Sequence, residues 1–217
     1  MTTHEEVIII GGGGFGREAF QYLLDIGETR VAGFLDNRPE DDLNLPGGLG
    51  VLGSISTYEP RAGQAFVLAV GDPTVRFKIA ARFLQAGAEF LTVVHPRAYV
   101  ASSAEIGPGS LVAPFASIGA SARLGAFCQV HFYASAAHDT VIGAYSALSP
   151  YSVVNGGGRL GECTFLGTRS TVNPGRAVGE RSKVAAGAVV YQDIPAFSLA
   201  AGNPAKPRRL MTTGAPG

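Results

Sequence analysis

Aliphatic residues recur at every sixth position through the C-terminal half of the chain. From Val100 to Val190, fifteen of these sixteen positions hold Ile, Leu or Val, and the remaining one is Ala136. Four residues after each of the first fifteen positions the side chain is small, with Arg176 as the exception. Neither the 3.6-residue period of a helix nor the simple alternation of a half-buried strand produces this spacing.

Six residues per unit indicate a short strand followed by a tight corner. The aliphatic side chain would point inward, the small residue would pack beside it, and the glycine that often follows the aliphatic would relieve the turn. Such hexapeptide repeats are typical of a parallel β-helix, whose core is continuous only when its coils stack. Three units form one coil of about eighteen residues, and coils repeat at about 4.8 Å. Residues 100–190 therefore predict about five coils.

The first hundred residues instead alternate between apolar runs and amphipathic stretches. Strands alternating with helices predict a small parallel α/β sheet. We expect strands in VIII (7–10), VAGFLDN (31–37), AFVLAVGD (65–72) and FLTVVHP (90–96), and helices from about Arg17 to Ile26 and from about Thr74 to Ala86. The predicted domains are an α/β half-domain of Rossmann type at 1–97, a β-helix at 98–194, and a C-terminal loop and tail at 195–217.

Charge and composition narrow the function classes. Seventeen acidic and seventeen basic residues are scattered without long runs, which does not suggest nucleic-acid binding. The start, MTTHEEVIII, lacks a basic region before its short apolar run, so we expect a cytoplasmic protein without membrane insertion. Cys128 and Cys163 form neither a CxxC motif nor a zinc set. We expect both to be small buried side chains of the core. The sequence predicts no metal site.

Gly11, Gly13 and Gly16 form G-x-G-x-x-G after the first strand, and Asp36 follows Gly16 by twenty residues. This spacing matches the dinucleotide fingerprint, in which glycines admit a phosphate to a helix N-terminus and the acidic residue binds a ribose. A nicotinamide-dependent oxidoreductase is therefore one hypothesis, and a glycine turn without a ligand is another. The α/β part has room for only one mononucleotide half, which favours the nucleotide of a sugar nucleotide.

The chain resembles the NeuD/PglD type of sugar acetyltransferase over nearly its whole length. The resemblance rests on IIIGGGGFGRE, GFLDN, LAVGDPTVR, HPRAYV, the repeats, AHDTVIG and AGNPAKPRR, in that order. It implies a left-handed β-helix and a homotrimer with active sites between neighbouring helices. It also implies acetyl-CoA as co-substrate and N-acetylation of a nucleotide-linked deoxy amino sugar, or O-acetylation of a sugar such as a sialic acid. A non-catalytic trimeric scaffold that binds a nucleotide sugar is the alternative from another class.

Acetyl transfer from a thioester requires a base, a donor to the oxyanion and two aligned substrates. His138 lies two residues after Ala136, near a predicted corner, and a neutral imidazole suits the base. The resemblance implies His138 as that base, Asp139 as its acidic partner and Gly156 as the oxyanion donor through its N–H. Gly156 follows His138 by eighteen residues, one predicted coil. The alternatives without a catalytic role are a solvated His–Asp pair at a turn and an ordinary turn glycine.

The acceptor would be held on the N-terminal domain, by Gly13, Gly14, Phe15, Gly16, Arg17, Asp36, Asn37 and Gly71. His131 follows Val130 and should face outward, at a place where asparagine is common in the family. Ala147 stands where some members carry another histidine. His131 would bind the acceptor, replace that missing group or be plain surface.

Coenzyme A would bind along the last coils and the closing loop. Exposed N–H groups near Gly167, Thr168, Ala185 and Ala186 could grip the amide-bearing pantetheine. The resemblance places the loop AGNPAKPRR, with Asn203, Pro204, Lys206 and Arg208, against the coenzyme, whose phosphates suit its cations. The His–Asp pair and this loop favour acetylation, because a scaffold needs neither.

Overall fold

A computed structural model describes residues 4–210 of the chain. The N-terminal elements are β1 (Glu6–Ile10), α1 (Gly14–Asp25), β2 (Val31–Leu35), a 3-10 turn (Glu40–Asp42), β3 (Val51–Gly53), β4 (Gln64–Leu68), α2 (Pro73–Gln85) and β5 (Glu89–Phe90). The five strands form a parallel sheet in the order β3–β2–β1–β4–β5. Residues 90–96, predicted as one strand, are divided, since Val93–Val94 already belongs to the β-helix. β3 was not predicted.

Local sequence explains how these elements begin. Val7 to Ile10 are fully buried, as expected for a parallel strand with both faces covered. The Asp72 carboxylate accepts hydrogen bonds from the backbone N–H groups of Thr74 and Val75, and Pro73 occupies the first turn of α2. α1 has no side-chain cap at Gly13, so the N–H groups of its first turn remain available to a ligand.

The C-terminal part is a parallel β-helix of the left-handed type, with three flat faces. The covered face holds Val93–Val94, Leu111–Val112, Gln129–Val130, Ala147–Leu148, Phe165–Leu166 and Lys183–Val184. The open face holds Tyr99–Val100, Ser117–Ile118, Ser135–Ala136, Val153–Val154, Thr171–Val172 and Val189–Val190. The charged face holds Glu105–Ile106, Arg123–Leu124, Val141–Ile142, Arg159–Leu160 and Ala177–Val178.

Each residue pairs with the residue eighteen positions later, as the six-residue period requires. Ser117 lies opposite Ser135, which lies opposite Val153. The aliphatic positions and the small residues between them form one buried core along the helix axis. Cys128 is part of this core, and burial raises its thiol pKa to about 12, so it behaves as apolar filler.

The corners are turned differently from our expectation. The glycines that follow the aliphatics do not relieve the turn through a positive φ. A Cβ on Gly107 would lie 2.4 Å from the backbone of Gly125, so these glycines are needed for the close approach of adjacent coils. The left-handed backbone occurs three residues after each aliphatic position of the repeat. It is often found at non-glycine residues, such as Tyr133 (φ 58°) and Asp139 (φ 59°).

The N-terminal sheet packs on the first coils of the covered face, which are called the upper coils; those nearest the C-terminus are called the lower coils. Leu111 and Ala113 share a core cluster with β1 and α1. Arg76 of α2 is fully buried and donates hydrogen bonds to the carbonyl oxygens of Phe127 and Tyr145 at one corner. This packing leaves the lower coils of the covered face exposed beside the sheet.

The chain closes with a hairpin rather than the predicted loop. Ser198–Ala201 pairs in parallel with Lys183–Val184 and antiparallel with Lys206–Arg209. The hairpin therefore extends the covered face by two strands. The predicted tail at 211–217 lies outside the described residues. No helix within residues 4–210 has the length and apolar character needed to cross a bilayer.

Candidate active site

His138 and Asp139 form an exposed pair at the corner between the open and charged faces, here called the His138 corner. His138 Nδ1 lies 2.8 Å from Asp139 Oδ2, and about two thirds of each side chain is exposed. The left-handed backbone of Asp139 turns its carboxylate back towards the ring, and its N–H donates to the carbonyl oxygen of Ala120. With Nδ1 bonded to the carboxylate, Nε2 is free to accept a proton from a bound nucleophile.

Gly156 lies directly against that imidazole, one coil further along the same corner. A Cβ at Gly156 would be 2.5 Å from His138 Nε2 and 2.4 Å from Cε1. The N–H of Gly157 donates to the His138 carbonyl oxygen, which holds the two coils in register. Within residues 4–210 the Gly156 N–H has no hydrogen-bond acceptor. Acyl transfer requires a base and a donor to the oxyanion, and this corner holds a candidate for each.

The glycine-rich turn joins β1 to α1 with the backbone held very close. Gly11 has φ 104°, and a Cβ on Gly16 would lie 1.8 Å from the Gly11 carbonyl oxygen. Gly13 and Gly14 therefore present the first N–H groups of α1 to solvent, beside the guanidinium of Arg17. A helix N-terminus with a neighbouring cation is suited to a phosphate. Gly71 is exposed on the loop after β4.

Asp36 accepts four hydrogen bonds, one of which ties it to this turn. Its carboxylate accepts from the N–H of Gly12, at 2.8 Å, and from the backbone and guanidinium of Arg38. Burial opposes ionisation, but these donors outweigh it and lower the pKa of Asp36 to about 2. Asn37 accepts from Ser54 and from the N–H of Ser56, and so fixes the neighbouring loop.

His131 lies between the glycine turn and the β-helix. Its ring packs on Phe15 of α1 with 4.6 Å between the ring centroids. Burial, and then the charge of Arg76, lower the pKa of His131 to about 4, so the imidazole is neutral at physiological pH. Ala147, one coil further on, is buried and offers no polar group. His131 is therefore an uncharged hydrogen-bonding group next to the glycine-rich turn.

The four residues proposed for pantetheine share one groove on the lower coils of the covered face. Gly167, Thr168, Ala185 and Ala186 line it together with Ser149, Phe165, Lys183, Val184 and Leu199. Lys183 borders this groove and lies 3.4 Å from Asp72 of the N-terminal domain. The groove is thus mostly apolar with one cation at its edge.

The closing hairpin continues from that groove. Arg208 lies opposite Leu199, a groove residue, and Lys206 lies opposite Ala201. Asn203 and Pro204 form the hairpin tip and line a second hollow with Tyr191. The predicted coenzyme residues therefore form two neighbouring groups, one along the coils and one on the hairpin.

The residues predicted to bind the acceptor and the predicted base lie on opposite sides of the β-helix. The glycine turn, His131 and the groove are on the covered face, whereas His138 and Gly156 occupy the corner opposite that face. Such a separation accords with the resemblance, which implies active sites between neighbouring β-helices, and the assignment of both groups of residues stays a prediction. Our sequence reasoning missed Arg38, whose guanidinium lies 3.3 Å from the position of a Cβ on Gly13. A basic residue two positions after the fingerprint Asp36 was the available signal.

No group of three or more metal-ligating side chains occurs within residues 4–210.

Residues 6–83 match the family described as the PglD N-terminal domain. A UDP-N-acetylbacillosamine N-acetyltransferase from Bacillus subtilis is 34% identical over 117 residues, which cover 50% of this chain and 51% of that protein. The alignment thus spans about half the length of this curated relative.

Two solved structures match most of the chain. PerB from Caulobacter crescentus, in complex with CoA and GDP-perosamine, is 33% identical with a TM-score of 0.85, covering 94% of this chain and 97% of that one. The acetyltransferase domain of PglB from Neisseria gonorrhoeae, in complex with acetyl coenzyme A, is 30% identical with a TM-score of 0.83, covering 94% and 100%.

Proposed function

This chain belongs to the NeuD/PglD-type sugar acetyltransferases, and from that premise we propose that it transfers the acetyl group of acetyl-CoA to the amino group of a nucleotide-linked deoxy amino sugar. The observation that carries the proposal is the His138–Gly156 contact. The His138 ring lies against the backbone of Gly156, where a Cβ would be 2.5 Å from Nε2, and the Asp139 contact at Nδ1 leaves that nitrogen free. Of the relatives named above, one is an N-acetyltransferase, one binds CoA and GDP-perosamine, and one is an acetyltransferase domain that binds acetyl coenzyme A, which supports the same chemistry.

The reaction proceeds by direct attack on the thioester. His138 Nε2 takes a proton from the acceptor amine as its nitrogen bonds to the acetyl carbon. Asp139 orients the ring and stabilises the imidazolium that forms. The Gly156 N–H donates to the oxyanion of the tetrahedral intermediate. Collapse of this intermediate breaks the C–S bond, and the thiolate of coenzyme A leaves with the proton carried by His138.

The N-terminal domain, residues 1–97, holds the nucleotide of the acceptor. Its phosphates bind at Gly13 and Gly14, where the α1 dipole and Arg17 supply positive potential. Asp36 anchors the turn and Arg38, and Phe15 with neutral His131 forms the wall beside the sugar. A neutral imidazole does not repel an ammonium group, which suits an amino sugar as the acceptor.

Acetyl-CoA lies along the β-helix, residues 98–194, and the closing hairpin. The pantetheine occupies the groove at Gly167 and Ala185, and its phosphates face Lys206 and Arg208. We also infer a homotrimer, as the resemblance to the family implies, in which the acceptor half of one chain faces the base of a neighbour. We infer a cytoplasmic enzyme, because acetyl-CoA as co-substrate and two buried cysteines without a disulfide are typical of that compartment.

A thiol-release assay tests this function. The protein is mixed with acetyl-CoA and a panel of nucleotide-linked 4-amino and 3-amino deoxy sugars, and the product is characterised by NMR. We expect thiol release with at least one amine acceptor and a new amide in the product. His138→Ala should lower kcat by about 10²–10⁴-fold with an unchanged melting temperature. An ester product would replace N-acetylation by O-acetylation, and full activity of His138→Ala would exclude the assigned base.

A further inference from the structure

One buried hydroxyl borders the groove on the lower coils of the covered face. Ser149 is 8% exposed and lines this groove. Its N–H donates to the carbonyl oxygen of Leu166, and its own carbonyl oxygen accepts from the N–H of Ser152. Within residues 4–210 its hydroxyl has no hydrogen-bond partner. Because buried polar groups normally have a partner, a bound ligand is the expected partner of this one.

Neighbouring serines show what is particular to position 149. The Ser146 hydroxyl, in the same coil, donates to the carbonyl oxygen of Gly161 at 3.0 Å. The Ser152 hydroxyl also lacks a partner among the described residues, but that side chain is fully buried inside the β-helix. Ser149 differs from both, because its unpaired hydroxyl borders a groove that a ligand can enter.

The groove runs along the helix axis from Ser149 to the closing hairpin. Ser149, Gly167 and Ala185 hold the same position in three successive coils, and Leu199 of the hairpin follows them. Three strand spacings of about 4.8 Å make the groove about 14 Å long. Arg208 lies opposite Leu199, so the cations proposed for the phosphates are at the hairpin end. The thioester of the coenzyme therefore belongs at the Ser149 end.

The coil before Ser149 carries the wall proposed for the acceptor sugar. His131 holds the same position as Ser149 one coil earlier, and its N–H donates to the carbonyl oxygen of Leu148. Its ring packs on Phe15 of the glycine turn. A pantetheine arm that ends at Ser149 would bring its thioester to the level of His131, beside the proposed acceptor site.

Backbone donors are available lower in the groove but not at the coil of Ser149. The Ala186 N–H has no acceptor within residues 4–210, and it is open because a Cβ at Gly167 would lie 2.6 Å from its nitrogen. The matching position two coils earlier is Pro150, which has no N–H. The hydroxyl of Ser149 is therefore the donor that this coil can offer to a ligand in the groove.

We propose that the Ser149 hydroxyl positions the acyl end of acetyl-CoA by donating a hydrogen bond to the carbonyl oxygen of the pantetheine amide nearest the sulfur. The inference rests on the proposed function for the identity of the ligand. The hydroxyl does not touch the reacting carbon, but it fixes how far the arm enters the groove. This bond is the same before and during acyl transfer, so it contributes to coenzyme affinity and not to kcat.

Ser149→Ala tests this role, with Ser152→Ala as the matched control. Each variant removes one unpartnered hydroxyl from the same coil, but the Ser152 hydroxyl does not border the groove. Titration calorimetry uses CoA, which has the amide but no acetyl group. Its Kd should be about three- to tenfold higher for Ser149→Ala, the loss expected for one hydrogen bond. Ser152→Ala should bind CoA as wild type does, and wild-type affinity in Ser149→Ala would overturn the proposal.

Steady-state kinetics separate positioning from a direct role in catalysis. In Ser149→Ala the KM for acetyl-CoA should rise about three- to tenfold, while kcat stays within about twofold of wild type. A lower kcat with unchanged CoA affinity would place the hydroxyl on the thioester carbonyl and overturn the assignment to the amide. Thermal unfolding should give both alanine variants the melting temperature of wild type.

Ser149→Leu tests whether the pantetheine reaches this position at all. A leucine side chain would fill the groove at its upper end, so CoA affinity should fall by about tenfold or more relative to wild type. Wild-type affinity in this variant would show that the arm does not reach Ser149. Failure of wild type itself to bind CoA would instead refute the proposed function. CoA binding by wild type that both Ser149 variants match would refute the role of Ser149 alone.

Discussion

The backbone at position 156 runs so close to the His138 ring that only glycine fits there. Gly156→Ala would place a methyl group 2.4–2.5 Å from the imidazole and displace it from Asp139. We expect kcat to fall by about 10²-fold or more, because base and oxyanion donor both lose their alignment. Steady-state kinetics measure the change. Calorimetry should show unchanged acetyl-CoA binding, and a variant with normal kcat would contradict the proposed oxyanion site.

His131 makes folding stability depend on pH. Its pKa is about 4 in the folded protein, below the ordinary value of 6.5. When the pH falls from 7 to 5, the unfolded chain binds a proton at this site that the folded chain does not bind, so stability decreases. His131→Asn removes this titrating group. Between pH 7 and pH 5 the free energy of unfolding of the wild type should therefore fall by about 2 kcal/mol more than that of the variant. Urea unfolding at both pH values and equal protein concentration measures the difference. Parallel losses would show that the ring is not buried neutral.

Sequence spacing explains only some of these residue contacts. Residues eighteen positions apart must stack in a β-helix, so the proximity of His138 and Gly156 follows from counting. The contact of Phe15 with His131 depends on how the N-terminal sheet docks. Nothing in the local sequence specifies that docking.

Among the helices, α2 links the two parts of the molecule through Arg76. The buried guanidinium donates to the carbonyl oxygens of Val70, Gly71, Phe127 and Tyr145 and to the side chain of Gln129. Burial lowers the pKa of Arg76 to about 10, so the group stays charged at neutral pH.

Arg76→Met should destabilise the protein by about 3 kcal/mol or more, because it leaves several buried acceptors without donors. Lys78→Met, on the exposed side of the same helix, should change stability by less than about 0.5 kcal/mol. Chemical denaturation monitored by circular dichroism compares the two. Equal effects would mean that the Arg76 contacts contribute little.

Elements with strong periodic signals were predicted with small boundary errors. α1 was expected from about Arg17 and begins at Gly14, while α2 was expected from Thr74 and begins at Pro73. The short strand β3 was missed because VLG has no clear period. The closing hairpin was expected as a loop, since its two prolines disfavour a strand. Its second strand lies at the sheet edge, where a missing N–H is tolerated.

At the scale of the whole molecule, the sites proposed for the two substrates use different residues, the acceptor site on the N-terminal domain and the coenzyme site on the last coils and the closing hairpin. Asp36→Ala frees the Gly12 N–H and Arg38, so acceptor binding should weaken about tenfold while acetyl-CoA binding is unchanged. Asp41→Ala, an exposed neighbour, is its control.

The double variant Lys206→Ala, Arg208→Ala should show the opposite pattern, since it removes cations proposed for the coenzyme phosphates. Isothermal titration calorimetry with each substrate separates the effects. Equal weakening of both substrates by either variant would contradict two independent sites.

The sequence alone determined the β-helix, the α/β half-domain, the family and the stacking of His138 on Gly156, because a strict period and short motifs encode local geometry directly. Tertiary structure decided the rest. The docking of the sheet on the covered face brings His131 to Phe15 and buries Arg76, through contacts between residues far apart in the chain. The same docking separates the acceptor residues from His138. That separation depends on which face of the β-helix the N-terminal sheet covers. Packing between the two domains determines this face, and the six-residue repeat does not.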